Sequence, residues 1–398
     1  MNRMKTSPLL TPTAGVPSSD HPPPPFDYRP LNRVVFGPGS LQRLGELARE
    51  LGGTRVLLVT DPHLEEAGHP QRAEASLRAA GLAVAVFDGV EENPTNRHVE
   101  EAARAARGHA ADLLVAVGGG SAMDVAKGAN FLATNGGTMA DYQGFGKAAK
   151  PMLPSIGVPT TAGTGSEAQS YALIADESSH LKMACGDRKA AFRVAVLDPE
   201  VTLTQPRAVT AVTGLDSIAH ALESYVTTKR NPLSQMFARH AWGLLHRNFE
   251  RVLRHPHDLA ARGEMQLGAH FAGAAIENSM LGCCHSCANP LTAHYGVTHG
   301  VAIGVMLPHV LRFNAAAVGP LYAELARDAG LGDGAEALAR RVAALARLAG
   351  LPTGLAECGV SREILPLLAE EASQQWTARF NPRPVGEADL LRLYEAAL

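Results

Sequence analysis

Residues 112–127 read DLLVAVGGGSAMDVAK. The apolar run from Leu113 to Val117 has the length and composition of a buried strand. Gly118, Gly119 and Gly120 let the backbone approach another group closely, and Ser121 is the expected N-cap of the helix that follows. Strand, glycine turn and helix start together make the unit in which a helix N-terminus receives a pyrophosphate. A tight turn alone would also use glycines, and the spacing is not the G-x-G-x-x-G fingerprint. A second loop, PTTAGTGSE over Pro159–Glu167, follows the short strand Ser155–Val158. Its hydroxyls and glycines suit a nicotinamide and phosphate cradle better than a core element.

Outward from this unit an α/β rhythm runs through the first half. Arg33–Phe36, Arg55–Thr60 and Leu82–Phe87 read as strands, Leu41–Leu51 and Gln71–Ala80 as helices, and Ala195–Leu197 closes the half. From Pro206 onward the pattern is Ala- and Leu-rich with helical spacing and no convincing strand. Breaks are expected at Asn231-Pro232, His255-Pro256, Asn289-Pro290 and Leu351-Pro352. A chain of 398 residues is too long for one compact core. The expected fold is an α/β dinucleotide-binding domain over 27–205 followed by an all-helical domain over 206–398. The leading segment 1–26 carries four consecutive prolines, Pro22 to Pro25, and is expected to be a disordered tail.

In the helical half, GLDSIAHALES (214–224) holds Asp216 and His220 four residues apart. If Val212–Val226 is helical the two share one face. His285 and His299 follow in LGCCHSCANPLTAHYGVTHG, residues 281–300. One carboxylate and three imidazoles suit Fe²⁺ or Zn²⁺ better than Ca²⁺ or Mg²⁺, which prefer oxygen shells. Acid–histidine pairs at this spacing also occur as ordinary helix-surface pairs, and the chain has 16 histidines. Cys284 and Cys287 form a C-x-x-C around His285, a rival thiolate site that lacks a second such pair.

Asp61 ends RVLLVTD (55–61), where a carboxylate accepts from an adenosine ribose hydroxyl and repels a 2′-phosphate. NAD is therefore expected over NADP. A helix N-cap before Pro62 is compatible with that role.

GGGSxxDxxK, PTTAGTGSE, VLDP (196–199), GLDSIAHALE, the His285/His299 stretch and RFNPRPVGEADLLRLYEAA (379–397) together resemble the iron-containing (group III) alcohol dehydrogenase family, from about Arg33 to the C-terminus. The resemblance implies the dehydroquinate synthase-like architecture, with metal and nicotinamide in the cleft between the domains. It implies Asp216, His220, His285 and His299 as ligands of Fe²⁺ (alternatively Zn²⁺), and Gly119, Gly120 and Ser121 at the pyrophosphate. Asp61, Asn93, Gly118, Asp124, Thr160, Thr161, Thr164, Gln169 and Lys182 complete the expected NAD site. The implied activity is reversible hydride transfer between a small alcohol or aldehyde and NAD, in a homodimer.

Three positions depart from that pattern. Asn289 stands four residues after His285, where a second histidine relays a proton in the family. An amide cannot act as a general base near neutrality, although it can orient water or a substrate oxygen; Asn289 and His285 are thus the catalytic candidates, with an altered proton path. Gln169 replaces a common threonine, and Tyr171 lies where the substrate pocket is expected. A glycerol or polyol dehydrogenase is the neighbouring reading. A lyase of the same architecture would need a basic cluster beside the metal, and none adjoins His285 or His299. A metal- and nucleotide-binding sensor is the alternative from another class.

A net charge of −3 with 46% hydrophobic and 19% charged residues argues against nucleic acid or a membrane surface as the partner. No uninterrupted apolar run approaches the ~20 residues that span a bilayer. The segment 1–26 lacks the apolar core of a secretory signal, so a cytoplasmic enzyme is expected.

Overall fold

The computed structural model describes residues 26–177, 182–332 and 334–398; the expected disordered tail lies, but for Phe26, outside them. Among the described residues the first half is a six-stranded parallel sheet. It is built from β1 (Arg33–Phe36), β2 (Arg55–Val59), β3 (Ala83–Phe87), β4 (Leu113–Gly118), β6 (Ser155–Pro159) and β9 (Val194–Leu197), in the order β1-β9-β6-β4-β2-β3. Every residue of β4, β6 and β9 is buried, as expected for parallel strands covered on both faces. Helices α1 (Leu44–Glu50), α2 (His69–Ala79), α3 (Asn96–Gly108) and α4 (Gly120–Asn135) supply the cover.

The chain runs from β2 outward to β3 and then back across to β4 on the other side of β2. The order therefore reverses between β2 and β4, and a crevice opens at their carboxyl ends, the usual ligand position in an open α/β sheet. Asp61 follows β2 and the triple glycine follows β4, so both candidates stand at that crevice.

A second sheet was absent from the sequence reading. Strands β5 (Gly144–Phe145), β7 (Tyr171–Ala175) and β8 (Lys182–Gly186) form it, with β8 central and β7 antiparallel to it. Its strands are short and without clean alternation, so periodicity does not reveal them. β7 packs on α4, and β8 and β5 are added to it by strand pairing.

The second half is helical among the described residues, with α5 (Arg207–Val226), α6 (Pro232–Arg254), α7 (Leu259–Glu277), α8 (Cys283–Tyr295), α9 (His299–Asp328), α10 (Gly334–Ala349), α11 (Leu365–Gln374) and α12 (Glu387–Ala397). Asn231 caps α6 through its side-chain oxygen with Pro232 at the first helical position, and the breaks at His255-Pro256 and Leu351-Pro352 fall between helices. The break expected at Asn289-Pro290 does not occur: α8 runs through Pro290. Proline removes one backbone donor and costs about 3 kcal/mol in a helix interior, but α8 is packed against α9, α11 and α12, and that packing overrides the local preference. By length and composition α9 is apolar enough to cross a bilayer. It is instead a core helix, burying Ala302 to Pro308, Val310 and Leu311 among its neighbours α5 and α10.

Candidate active site between the two halves

The phosphate-loop candidate closes β4. Gly119, with extended backbone, takes the N-cap position of α4 and offers no side chain to its free amides, so Ser121 sits inside the first turn rather than capping it. The N-terminus is thereby left open to an anion. The loop Thr160–Thr164 presses against it. A Cβ on Gly120 would lie 2.7 Å from the Thr164 methyl, and one on Gly119 would lie 3.4 Å from that of Thr161. The Thr160 amide donates to the Gly118 carbonyl at 2.9 Å, and the Gln169 amide donates to the Thr164 carbonyl at 2.9 Å. Gln169 thus braces the loop. Asp61 Oδ2 lies 3.5 Å from where a Cβ of Gly118 would be, which puts its carboxylate over the crevice. Burial raises its pKa from the ordinary value.

Asp124 faces inward. Its Oδ1 accepts from the Ser166 hydroxyl at 2.9 Å, and burial pushes its pKa up against the pull of Lys127. Lys127, which sequence reasoning passed over, is buried and spends its three donors on the Ser166 carbonyl, the Ser166 hydroxyl and the Tyr171 carbonyl at 2.7–2.8 Å. A buried ammonium needs such partners. It ties the phosphate helix to both ends of the 166–171 segment.

Helix α7 fastens this segment to the helical half. Gln266 donates to the Pro159 carbonyl at 3.0 Å, His270 meets Glu167 at 3.1 Å, and Glu277 accepts the Ser170 amide and hydroxyl at 2.9 and 2.8 Å. The backbones touch: a Cβ on Gly273 would lie 2.4 Å from the Gly165 carbonyl oxygen.

Across this joint lies the second constellation. Asp216 and His220 project from one face of α5, His285 from the first turn of α8, and His299 from the first residue of α9. Ligand atoms of Asp216, His220 and His285 lie within 4.8 Å of one another. Asp216 Oδ1 is 3.3, 3.4 and 3.7 Å from Nε2 of His220, His285 and His299. The first three residues are buried, whereas the His299 side chain is 30% exposed and stands at the cleft mouth. Asp216 Oδ1 and His285 Nε2 are buried without a hydrogen-bond partner. Buried polar atoms are normally paired, and an anionic oxygen converging with neutral imidazole nitrogens is the donor set of a borderline-soft divalent cation.

The electrostatics of three of the four residues agree with that donor set. Burial alone would raise Asp216, but His220, His285 and His299 hold it well below the carboxylate range. Burial lowers His220 and His299 against the attraction of Asp216, leaving lone pairs available. His285 is the exception: burial is outweighed by Asp216 and Glu223, which raise it to about 9. Glu223 was not anticipated from the sequence, although it lies seven residues after Asp216 on the same face. Its carboxylate accepts from His285 Nδ1 and from the Cys284 amide, the arrangement that orients a ligating imidazole.

The rival thiolate site does not assemble. Cys283, Cys284 and Cys287 are buried in the apolar core of the helical half, and burial raises all three thiols. Free cysteine in such surroundings packs as a small apolar residue.

Beside His299 a cavity of about 710 Å³ is lined by Asn93, Tyr171, Lys182, Asn289 and Trp376 among others. Asn93 adopts a left-handed backbone, φ 53°. Asn289 lies one helical turn beyond His285 and donates to Gln375 Oε1 at 2.9 Å.

Residues 31–199 match the family model "Iron-containing alcohol dehydrogenase", and residues 210–398 match "Fe-containing alcohol dehydrogenase family, C-terminal". The NAD-dependent methanol dehydrogenase of Bacillus methanolicus is 34% identical over 371 residues, 92% of this chain and 97% of that protein. The crystal structure of a 1,3-propanediol oxidoreductase superposes with a TM-score of 0.91 at 34% identity, covering 94% of this chain and 100% of its own. Sulfoacetaldehyde reductase from Bifidobacterium kashiwanohense, solved in complex with NAD⁺, gives a TM-score of 0.86 at 29% identity over 94% of this chain and 98% of its own. Motifs, fold and relatives converge: this chain belongs to the iron-containing alcohol dehydrogenase family and is an alcohol dehydrogenase or aldehyde reductase.

Proposed function

We propose that the protein interconverts an alcohol and its carbonyl compound with NAD, using one divalent cation held by Asp216, His220, His285 and His299, Fe²⁺ in preference to Zn²⁺. The observation that carries this reading is the buried, unpartnered pair Asp216 Oδ1 and His285 Nε2, a few ångströms from two further imidazoles. When bound, the cation supplies a Lewis acid for the substrate oxygen and NAD the hydride acceptor.

The chain's own residues do the rest. Asp216 brings one negative charge to the cation site and so moderates how strongly a developing alkoxide would be held. Glu223 keeps the Nδ1 proton of His285 and so would leave the Nε2 lone pair for the cation that Asp216 also holds. Gly119, Gly120 and the open start of α4 receive the pyrophosphate, with Thr160, Thr161 and Thr164 behind it. Asp61 takes the ribose hydroxyl and disfavours NADP. Asn93 and Lys182 border the cleft on the cofactor side. Asn289 holds no titratable proton, so the alcohol proton leaves to water in the open cleft rather than to an imidazole. In this reading the halves divide near Gln205. The enzyme is a cytoplasmic homodimer, supported by five free cysteines and by an edge strand β1 that leaves Val34 and Phe36 exposed.

The test is a panel of alcohols and aldehydes with protein reconstituted with Fe²⁺ or Zn²⁺. Sustained NADH formation from an alcohol is expected. Metal and NAD binding without turnover on any member would favour a sensor instead.

A further inference from the structure

The cleft beyond His299 is walled by aromatic rings contributed by both halves. Phe145 at the end of β5 and Tyr171 at the start of β7 stand 5.7 Å apart, Tyr171 and Trp376 6.0 Å, and Trp376 and Phe380 6.4 Å at nearly a right angle. Phe145, Tyr171 and Trp376 line the same cavity as His299 and Asn289.

The central ring is seated on purpose-made backbone. Tyr171 pairs with Gly186 across β7 and β8, and a Cβ at Gly186 would lie 2.4 Å from the ring. Only glycine lets the phenol lie flat against that strand. On either side, Phe145 is 54% and Trp376 37% exposed. Large rings left open inside a concave site are apolar surface suited to a ligand.

Two polar pairs of the cavity are satisfied within the protein. Asn289 and Gln375 form an amide pair, and Glu371 accepts from His294 at 2.9 Å. Lys182 on β8 lines the same cavity, and its charge is felt at His299. A substrate body reaching from His299 toward Phe145, Tyr171 and Trp376 meets rings and the Asn289–Gln375 amides.

We infer that the substrate is a primary alcohol with an apolar body, an aryl group or an alkyl chain of about four or more carbons, laid against Phe145, Tyr171 and Trp376. The inference rests on the alcohol dehydrogenase reading above. Alcohols of one to three carbons have too little surface to cover three rings. Specificity then comes from Trp376 and Phe145, each presented by a different half of the protein.

The experiment follows kcat/KM along the primary alcohols from ethanol to hexanol, with benzyl alcohol added, for the metal-loaded protein and its Trp376→Ala and Phe145→Ala variants. Efficiency is expected to rise roughly fourfold for each methylene that reaches the rings, and the hexanol-to-ethanol ratio is expected to collapse in both variants. A second readout needs no turnover. The chain has two tryptophans, and Trp242 is fully buried with its indole N–H on the Leu325 carbonyl. Benzyl alcohol should therefore shift the emission of the parent to the blue and leave Trp376→Phe unmoved. Turnover of ethanol and hexanol at equal efficiency, unaltered in the variants and with no emission shift, would overturn the inference while leaving the dehydrogenase intact. Absence of NADH formation with every alcohol would overturn both.

Discussion

Glu223 accepts a hydrogen bond from His285 Nδ1 with one carboxylate oxygen and from the Cys284 amide with the other, at 2.5 and 2.8 Å. One buried side chain on α5 thereby sets the tautomer of an imidazole on α8 and anchors the start of that helix. Glu223→Gln keeps the shape but no longer fixes the proton on Nδ1. Partners of this kind are worth about 10–100-fold in metal affinity, and a loss in that range is expected on titration with Fe²⁺ or Zn²⁺, with the helical fold unchanged by circular dichroism. Parental affinity would show that Glu223 serves only the helix.

Asp61 stands over Gly118 at the crevice between β2 and β4. Asp61→Gly removes the charge a 2′-phosphate would meet, and the NADP-to-NAD ratio of kcat/KM is expected to rise by at least about tenfold, the equivalent of ~1.4 kcal/mol. An unchanged ratio would reduce Asp61 to the cap of the turn Pro62–Leu64.

Asn289→His places an imidazole one helical turn from His285, facing the same cleft. Such a group titrates near about pH 6.5, so the pH–rate profile should gain a limb in that region that the parent lacks. Identical profiles would put position 289 off the path of the proton.

His246 on α6 packs against Trp242 with ring centroids 5.0 Å apart and the rings tilted by 45°, and burial beside Arg341 and Arg247 pushes it down to about 4. Its folded pKa lies below the unfolded value of about 6.5, so between these values the unfolded chain binds the proton more readily. The stability this site holds above pH 6.5 is therefore lost as pH falls toward 4. In His246→Gln the decline of Tm over that interval should be shallower than in the parent. Parallel curves would contradict the assignment.

Strand β4, the glycine turn and the start of α4 were legible in the sequence because a buried parallel strand is a continuous apolar run and glycines mark close backbone approach. Asp216 and His220 were legible because a spacing of four places them on one helix face. The same rule extended to seven residues finds Glu223, a signal that was present and unused. Lys127 carried no such signal: a lysine at helical spacing normally snorkels to solvent, and its burial depends on the Ser166 and Tyr171 carbonyls some forty positions later. The small sheet was hidden because β7 is held by packing on α4, and β8 and β5 by pairing onto it, rather than by alternation in the sequence. Pro290 misled for the converse reason, since a local rule was overridden by the helices around α8.

If Asp216, His220, His285 and His299 hold the metal, the neighbouring thiols only pack. Elemental analysis of purified His285→Ala and His299→Ala, beside Cys284→Ser and Cys287→Ser, addresses it directly. The histidine variants are expected to lose metal while still binding NAD, and to fall on the order of a thousandfold in turnover; the cysteine variants should keep both metal and activity. Metal retained in the histidine variants and lost from the cysteine variants would contradict the assignment.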